Sequence, residues 1–509
     1  MQLGFVLDQS RCIGCHACTV ACKSENGVPV GNFRTWVKYT ERGEFPEVKR
    51  SFAVLRCNQC THAPCVTICP TGALEKRADG IVDVNPAACI GCKSCMHGCP
   101  YDALYINEDK GTAEKCHFCA HRTEQGLAPA CAVVCPTEAI IPGDFDDPTS
   151  LVSKLKSDGS LKARKLEAGT GPNVVYRDVD EAGIDPLKTI DAGVSLWADR
   201  HPGLPHDARA FDAEMAEMEG RATARTTYDV AHPPLWGGKI TGYLFFKALA
   251  AGVFLAGCIG TPAALATPSS AATIAIPLLG LLFLGLTSVL LVLDLKRPER
   301  FLFLLTRPNW NSWLVRGTWF LIGYGAVLSI ALLAGVLGAT HYGLALRCFG
   351  IAGAFASAAY TGWLFGQAKG RVLWMQRGLW LRLATQAVVG GSAVLILGAS
   401  FLGLEEGVRE SLGGVLNLAL LVHAVFFLLE SNLAPKGREA EYTRVLALIK
   451  SGPFSRTHWL GGVLFGTLVP IMLLTLFPGA AFVAGFLSLA GLWIEKDTLV
   501  RAGQALPIS

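Results

Sequence analysis

Sixteen of the 18 cysteines lie between Cys12 and Cys135, and this crowding limits what the N-terminal part of the chain can fold into. They form four runs: Cys12-x2-Cys15-x2-Cys18-x3-Cys22, Cys57-x2-Cys60-x4-Cys65-x3-Cys69-Pro70, Cys89-x2-Cys92-x2-Cys95-x3-Cys99-Pro100 and Cys116-x2-Cys119-x11-Cys131-x3-Cys135-Pro136. Three closely spaced thiolates wrap a loop around one cubane cluster, and a fourth, three residues later, reaches a neighbouring cluster. The spacing therefore predicts four [4Fe–4S] clusters held by sixteen thiolates.

Two other uses of cysteine explain this pattern less well. A disulfide framework is typical of short secreted chains, and residues 1–8 contain neither a basic nor an apolar segment that would predict export. Structural zinc also uses paired Cys-x2-Cys motifs, but it does not require the Cys-Pro step that ends three of the four runs. Cys258 and Cys348 stand alone in apolar runs, so we expect both to be dispensable.

The C-terminal half is apolar enough to predict a membrane domain. Apolar residues make up 51% of the chain, and the mean hydropathy is +0.38. A bilayer core of about 30 Å needs about 20 apolar helical residues, and eight runs meet this requirement: roughly 240–260, 271–295, 314–338, 344–366, 382–402, 411–430, 459–477 and 479–495. The net charge of only +4 gives no reason to expect a nucleic-acid partner.

Three segments carry a family resemblance in the cysteine-rich part. They are Arg56-Cys-Asn-Gln-Cys-Thr-His-Ala-Pro-Cys-Val-Thr-Ile-Cys-Pro, Ala88-Cys-Ile-Gly-Cys-Lys-Ser-Cys-Met-His-Gly-Cys-Pro, and Glu114-Lys-Cys-His-Phe-Cys with Pro129-Ala-Cys-Ala-Val-Val-Cys-Pro. These segments resemble the electron-transfer subunits of dimethyl sulfoxide reductase and polysulfide reductase, and the resemblance covers residues 5–145. It implies an α+β, ferredoxin-like double-dicluster domain, in which the second and third runs form one unit and the first and fourth runs form another.

The same resemblance implies a set of ligands for each cluster. One outer cluster would take Cys12, Cys15, Cys18 and Cys135, and its neighbour would take Cys116, Cys119, Cys131 and Cys22. The inner pair would take Cys57, Cys60, Cys65 and Cys99, and Cys89, Cys92, Cys95 and Cys69. Lys23 stands where the other runs have proline, which changes little because proline is not a ligand.

The membrane half shows a second resemblance. Asp294-Leu-Lys-Arg-Pro-Glu-Arg-Phe, Arg307-Pro-Asn-Trp-Asn-Ser-Trp and Val500-Arg-Ala-Gly-Gln resemble the NrfD-like membrane subunits of polysulfide reductase and nitrite-reductase-linked quinol oxidases. In those systems the cluster subunit and the membrane subunit are usually separate chains, so this chain looks like a fusion of the two. The resemblance implies a site for quinone, ubiquinone or menaquinone, and a partner subunit that holds a molybdopterin cofactor.

These patterns divide the chain into three parts. Residues 1–145 form the predicted four-cluster domain, and residues 239–509 form an all-α polytopic membrane domain of about eight transmembrane helices. Residues 146–238 are predicted to be a connector with some ordered parts, including an amphipathic helix within 196–225. Disorder in part of the connector is the alternative.

Basic residues are distributed unevenly between the two sides of the predicted membrane domain. With eight spans, both chain termini and the even-numbered loops share one side. Sixteen lysines and arginines belong to that side: Lys296, Arg297, Arg300, Arg307, Arg316, Lys369, Arg371, Arg377, Arg382, Lys436, Arg438, Arg444, Lys450, Arg456, Lys496 and Arg501. The opposite loops contain only Arg347 and Arg409. Because basic loops stay in the cytoplasm, we expect an inner (cytoplasmic) membrane protein whose cysteine-rich domain faces the cytoplasm.

Ionisable residues inside the predicted spans indicate a candidate quinone site, since such residues are costly in a bilayer. Lys247 lies about two turns into the first span, while Asp294 and Glu430 end the second and sixth spans on the same side. His423 is seven residues before Glu430, on nearly the same helix face. We expect Lys247, Asp294 and His423 to line one pocket and to supply protons or hydrogen bonds to the quinone.

Three further residues are expected to flank the mouth of this pocket: Arg316, Trp310 and Trp313. Simpler explanations remain open for every residue of the site. Lys247 can snorkel toward the headgroups, Asp294 can form a structural salt bridge, and His423 can form an interhelical hydrogen bond. The tryptophans can be interfacial anchors.

Membrane haem is the alternative relay between clusters and quinone. Ligation by two histidines needs both of them in membrane helices. Only His423 lies inside a predicted span, whereas His341 and His458 lie at or beyond span ends. We therefore expect no haem and direct transfer from the last cluster to quinone.

Together these features predict an electron-transfer and membrane-anchor subunit that links a molybdopterin catalytic subunit to the quinone pool. Substrate oxidation with quinone reduction is the first hypothesis, by analogy with the layout of cytoplasmic sulfite dehydrogenases. A quinol-dependent reductase of the same architecture is the second. An ion-translocating redox module is the third, because the charged groups are mainly near the cytoplasmic span ends and do not form a path across the bilayer.

The sixteen thiolates predict about sixteen irons and sixteen acid-labile sulfides per chain. Iron and sulfide analysis of anaerobically purified protein measures this content directly. Zinc in place of iron, or about half the iron, would rule out four clusters. Replacing Cys258 and Cys348 with Ala is the matched control and should leave the iron content unchanged.

The basic loops predict the side of the membrane on which the C-terminus lies. Green fluorescent protein fused after Ser509 should fluoresce, and alkaline phosphatase fused at the same place should be inactive. The opposite pattern would reverse the orientation and move the catalytic partner to the other side.

Overall fold

The computed structural model describes residues 1–191, 206–220, 224–230, 234–260, 270–339, 342–402 and 406–508. Twelve strands lie in this part of the chain: Leu3–Asp8 (β1), Thr35–Arg42 (β2), Lys49–Arg56 (β3), Leu74–Lys76 (β4), Val82–Val84 (β5), Leu104–Asn107 (β6), Thr112–Lys115 (β7), Ile140–Asp144 (β8), Lys162–Ala163 (β9), Val174–Arg177 (β10), Thr189–Asp191 (β11) and Ala224–Tyr228 (β12). They form two four-stranded sheets, ordered β8-β1-β10-β9 and β11-β12-β2-β3, and two hairpins, β4-β5 and β6-β7.

Eight helices precede the membrane part of the described chain: Ala17–Asn26 (α1), Pro64–Ile68 (α2), Ser94–Gly98 (α3), Ala120–Thr123 (α4), Ala130–Val133 (α5), Leu151–Ser157 (α6), Glu181–Ile184 (α7) and His206–Met218 (α8). Four of them, α2 to α5, are single turns inside the cysteine runs. A cluster-binding loop leaves little room for longer helices, because every third or fourth residue must point its thiol inward.

Strand pairing brings the two outer cysteine runs together. β1 leads into the first run and β8 follows the fourth, and the two strands pair antiparallel with Leu7 opposite Ile140. Helices α1 and α5 of these runs pack against each other. Helices α2 and α3 of the two inner runs do the same, and a Cβ on Gly98 of α3 would lie only 3.0 Å from Ile68 of α2. The arrangement confirms the predicted α+β fold class of the N-terminal domain.

The membrane half consists of long helices: Gly238–Gly260 (α9), Ser270–Asp294 (α10), the short Phe303–Thr306 (α11), Trp313–Val336 (α12), Leu344–Gly366 (α13), Leu379–Gly398 (α14), Glu406–Leu429 (α15), Glu439–Lys450 (α16), a π-helix Thr457–Leu468 that continues into Val469–Leu476 (α17), and Ala481–Ala502 (α18). Eight helical segments of the described chain are long and apolar enough to cross a membrane, which confirms the predicted number.

Helix α9 is the central span. Its apolar stretch is 83% buried inside the protein. It crosses α14 at very short distance, since a Cβ on Gly252 would lie 1.8 Å from the carbonyl oxygen of Ala387. Small residues at such a crossing let two backbones approach, which stabilises membrane helices that cannot rely on the hydrophobic effect.

Residues 146–238 are more than a connector. β10 pairs parallel with β1, and β12 pairs antiparallel with β2, so this segment completes both sheets. These strands are two to five residues long and too short to show a clear alternation in the sequence. Within the predicted helix 196–225, α8 forms a helix, while residues 192–205 and 221–223 lie outside the described residues.

Buried ion pairs attach the segment 146–238 to the membrane half. Asp212 of α8 forms an ion pair with Arg444 of α16, and both side chains are nearly buried. Lys165 forms another with Glu441 at 3.1 Å. Burial strengthens these pairs relative to exposed ones, and removing one partner would leave an uncompensated charge.

The loop between α10 and α12 holds the inner cysteine runs by hydrogen bonds to their backbone. The Asn309 amide donates to the carbonyl oxygens of Cys69, at 2.8 Å, and Val66, at 3.3 Å. The Ser312 hydroxyl donates to the carbonyl oxygen of Ile68 at 2.7 Å. The membrane domain therefore fixes the position of the second run.

A second loop and one ion pair complete this interface. Gly370, in the loop after α13, donates its N–H to the carbonyl oxygen of His97 at 2.9 Å. Lys93 of the third run forms an ion pair with Asp294 at the end of α10, at 2.9 Å. The cysteine-rich domain thus sits on the side of the membrane domain that carries the even-numbered, basic loops.

Replacing Asn309 with Leu should loosen the second run, because two partly buried carbonyls lose their donor at a cost of ~1–3 kcal/mol. Hydrogen–deuterium exchange should become faster in residues 64–70 and stay unchanged in α14. Asn311→Leu is the matched control, since Asn311 is exposed two residues away. Equal exchange in the Asn309 variant and the wild type would show that this contact does not hold the run.

Candidate cluster sites and membrane cavity

The first and last cysteines meet at the exposed end of the domain. Cys12 lies next to Cys15 and Cys135, and Cys18 lies next to Cys12. Cys15 is exposed, while Cys12 and Cys135 are half-buried. The N–H of Ala139, at the turn into β8, donates to the sulfur of Cys135 at 3.2 Å. This group is the one most open to a partner protein.

The second group lines a cavity of about 260 Å³. Its cysteines come from two runs: Cys22, Cys116, Cys119 and Cys131. The amide of Asn26 lies 3.7 Å from the sulfur of Cys22 and 3.8 Å from that of Cys119. Hydrogen bonds to ligand sulfurs favour the thiolate form that a cluster needs.

Each of the two inner groups also takes its cysteines from two runs. Cys69, Cys89, Cys92 and Cys95 line a cavity of about 350 Å³ with largely apolar walls. Cys57, Cys60, Cys65 and Cys99 lie close together as the fourth group. Burial raises the pKa of Cys65 and of Cys95, so their ionised forms need a strong positive charge nearby. Iron supplies that charge in a cluster.

The four groups bring together the same cysteines that the family resemblance implies as ligand sets, and their role as ligands stays a prediction. Each combines three thiols of one run with the fourth thiol of another. Among the described residues, no three His, Cys, Asp or Glu side chains converge as ligands of a single metal ion.

The groups follow one another in a row. Cys18 of the exposed group lies near Cys131 of the second, and Cys65 of the fourth lies near Cys95 of the third. The buried Lys115 lies between Cys116 and Cys57, and so joins the second group to the inner pair. The row therefore runs from the exposed Cys15 to the membrane interface.

An aromatic cluster connects the inner groups with the membrane half. The ring centre of His97 lies 4.1 Å from that of Trp236 and 4.9 Å from that of Trp374. The guanidinium of Arg371 donates to Nδ1 of His97 at 3.3 Å. Burial and the charges of Arg371 and Lys93 hold the pKa of His97 well below its usual value, so the ring is neutral and can accept this bond.

A cavity of about 500 Å³ lies near Trp374, whose indole N–H donates to the carbonyl oxygen of the lining residue Leu499 at 2.8 Å. Five side chains form its apolar walls: Leu373, Leu379, Ile449, Ile494 and Leu499. Its polar lining consists of Gln376, Arg382, Gln386, Glu430, His458, Glu495, Lys496 and Thr498. The amide of Gln376 is 4% exposed, and neither of its polar atoms has a hydrogen-bond partner in the described part of the protein.

Buried ion pairs fix the carboxylates of this cavity. Arg382 lies 3.0 Å from Glu430 and 3.6 Å from Glu495. Glu495 also accepts from Nε2 of His423 at 2.8 Å and from Gln386 at 2.8 Å. Within the described residues, Nδ1 of His423 has no hydrogen-bond partner. The network provides groups that can hold or release protons at the cavity wall.

The residues of the predicted quinone pocket do not all lie together. Glu430 lines the cavity, and His423 contacts it through Glu495. Lys247 is buried in α9, where it donates to Thr361, stacks on the ring of Tyr360 at 4.4 Å and lies near Lys496.

The other four predicted residues lie away from this cavity. Asp294 forms the ion pair with Lys93 at the domain interface. Arg316 lies 4.9 Å over the ring of Trp313 and donates to the carbonyl oxygen of Trp310 at 2.8 Å, and Trp310 is 54% exposed.

Besides His458, sequence analysis did not assign six polar lining residues to the site: Gln376, Gln386, Arg382, Glu495, Lys496 and Thr498. The last predicted span stops at residue 495, whereas α18 continues to Ala502, so the Glu-Lys pair lies inside a helix. Charged residues inside an apolar helix would have been the signal. His458, expected at a span end, lines the cavity, whereas His341 lies outside the described residues. The absence of haem stays a prediction.

Comparison with known proteins agrees with this division of the chain. The 4Fe-4S dicluster domain matches residues 48–145, and the family described as polysulphide reductase, NrfD, matches residues 227–507. A tetrathionate reductase subunit of Salmonella typhimurium is 44% identical over 200 residues, which cover 38% of this chain and 80% of that protein.

Two other relatives are similar to less than half of the chain. The putative iron–sulfur subunit of dimethyl sulfoxide reductase from Halobacterium salinarum is 34% identical over 252 residues, covering 44% of this chain and 89% of that protein. Protein NrfC of Escherichia coli is 46% identical over 180 residues, covering 35% of this chain and 80% of that protein.

Proposed function

The chain belongs to the polysulphide reductase NrfD family and carries an iron–sulfur electron-transfer domain ahead of its multi-pass membrane domain, and we propose that it links a molybdopterin catalytic subunit to the quinone pool. In this proposal four [4Fe–4S] clusters carry electrons one at a time between the two. The observation that carries it is the series of contacts from the exposed cysteine group, through the inner groups and the His97–Trp374 contact, to Leu499 at the wall of the cavity in the membrane half.

The exposed end of the row is the proposed docking site of the catalytic subunit. Cys15 is exposed there, and the side chains of Ile13, Val20 and Val133 are 59%, 64% and 65% exposed. Apolar side chains around an exposed redox centre favour a protein partner that excludes water. The relatives named as subunits of tetrathionate and dimethyl sulfoxide reductases support such an assembly.

The cavity near Trp374 is the proposed quinone site. Its apolar walls suit a quinone ring, and the free amide of Gln376 can donate to a quinone carbonyl. Quinone reduction consumes two electrons and two protons. Glu430, His458 and the Glu495–His423 pair can supply the protons, since they line or border the cavity.

The other predicted residues take different parts in this proposal. Lys247 lies behind the cavity and interacts electrostatically with Lys496 in its wall. Asp294 holds the cluster domain against the membrane domain through its ion pair with Lys93. Arg316, Trp310 and Trp313 anchor the protein at the membrane surface, in keeping with the interfacial preference of tryptophan.

The proposed direction is substrate oxidation in the cytoplasm with quinone reduction. It rests on the basic loops, whose positive charge favours the cytoplasmic side for the cluster domain. The reductase names of the relatives favour the opposite direction, from quinol to a substrate, as the second candidate. Turnover of the purified complex separates the two: the first direction predicts that electrons from an oxidisable substrate reduce added quinone, and the second predicts that electrons from added quinol reduce a substrate.

Gln376→Leu and His423→Leu should each slow quinone turnover of the holoenzyme about tenfold or more, since each loses about 1.4 kcal/mol or more of binding or proton transfer. Activity with an artificial dye that takes electrons directly from the clusters should stay unchanged. Trp310→Leu is the control, because this exposed residue lies away from the cavity. Wild-type quinone kinetics in both cavity variants, with normal iron content, would exclude this cavity as the quinone site.

A further inference from the structure

Arg56 is a buried cation between two of the cysteine groups. It ends β3, is 0% exposed and lines the cavity of the second group. Its Nη1 donates to the sulfur of Cys131 at 3.3 Å. Cys18, of the exposed group, lies close to it on the other side.

The charge of Arg56 is not balanced by a carboxylate in the described part of the protein. Its Nε and Nη2 atoms have no hydrogen-bond partner there. The guanidinium lies 4.4 Å over the ring of Phe5, which offers little compensation. Arg34, which lines the same cavity, differs because Glu114 pairs with it at 3.0 Å.

A buried guanidinium with unfilled donors needs a negative partner, because isolated charge is costly in a protein interior. The cavity that Arg56 lines is the place where four thiolates and a cluster would put that negative charge. Reduction adds one more electron to the cluster. A fixed cation at short distance stabilises the reduced form more than the oxidised form, and it does so strongly where water is excluded.

We propose that Arg56 raises the reduction potentials of the two outer clusters, and raises most the potential of the cluster held by Cys22, Cys116, Cys119 and Cys131. This inference rests on the proposed electron-transfer function but not on the quinone site. The outer pair then takes up electrons more readily and holds them between turnovers of the catalytic partner.

Lys115 offers an internal comparison, because it lies between different groups. Its ammonium donates to the carbonyl oxygen of Cys116 at 2.8 Å and lies near Cys57 and Cys65. Neutralising Lys115 should therefore affect the second group and one inner group. Neutralising Arg56 should affect the second group and the exposed group. The two changes share one cluster.

The test is a redox titration of the purified full-length protein, followed by electron paramagnetic resonance, in the variants Arg56→Met, Arg56→Gln, Arg56→Lys and Lys115→Met. With unchanged iron content, both neutral variants of Arg56 should lower two of the four midpoint potentials. At the wild-type midpoint potential, the ratio of reduced to oxidised cluster should fall tenfold for the more strongly affected cluster. For a one-electron couple this fall corresponds to a shift of about 59 mV. Arg56→Lys should stay close to the wild type.

Two controls make the outcome decisive. Arg50→Met removes an exposed arginine of the same strand, paired with Glu41, and should shift no potential. The double variant Arg56→Met with Lys115→Met should shift one cluster by the sum of both effects. Unchanged potentials in Arg56→Met, or an equal shift in Arg56→Lys, would overturn the proposal. Loss of iron from both neutral variants would also overturn it, since Arg56 would then serve cluster assembly. Loss of quinone activity alone would leave it standing.

Discussion

The exchange of the fourth cysteine between runs is the constraint on which the N-terminal domain depends. Each cysteine group takes three thiols from one run and one thiol from another, so no group can form until two distant segments pack together. The β1–β8 pairing does this for the outer runs, and the α2–α3 contact does it for the inner runs. The strands hold the loops of these runs in register.

The loops of the second and third cysteine runs also form the contact with the membrane domain. The second run ends where Asn309 and Ser312 donate to its carbonyls, and the third run is held by Lys93 on Asp294. Most of these contacts are hydrogen bonds from side chains of the membrane half to backbone carbonyls, which fix the distance and orientation of the cysteine runs. Electron transfer needs such fixed distances, and the position of His97 against Trp374 shows how close the two halves come.

Charge is placed differently in the two halves. In the cluster domain Arg56 has no carboxylate partner among the described residues, whereas Arg382 in the membrane half contacts two carboxylates. Buried thiolates and clusters can balance cations in the first case. In the second, Glu430 and Glu495 balance Arg382, because a lone charge inside a bilayer is costly. The buried carboxylates of the cavity therefore balance the charge of Arg382, and in the proposed function they also supply protons to the quinone.

The sequence alone determined the cysteine runs, the α+β and all-α halves and the number of spans, because cysteine spacing and apolar run length are local properties of the chain. It could also suggest ligand sets through a family resemblance. Only the tertiary structure decided which polar residues meet in the membrane half: Gln376 comes from a loop, Arg382 from α14 and Glu495 from the part of α18 at the end of the predicted span. It also separated Asp294 from His423, since an ion pair with Lys93 depends on how the two domains dock. Contacts between distant segments leave no periodic trace in a sequence, and for that reason the cavity could not be predicted from it.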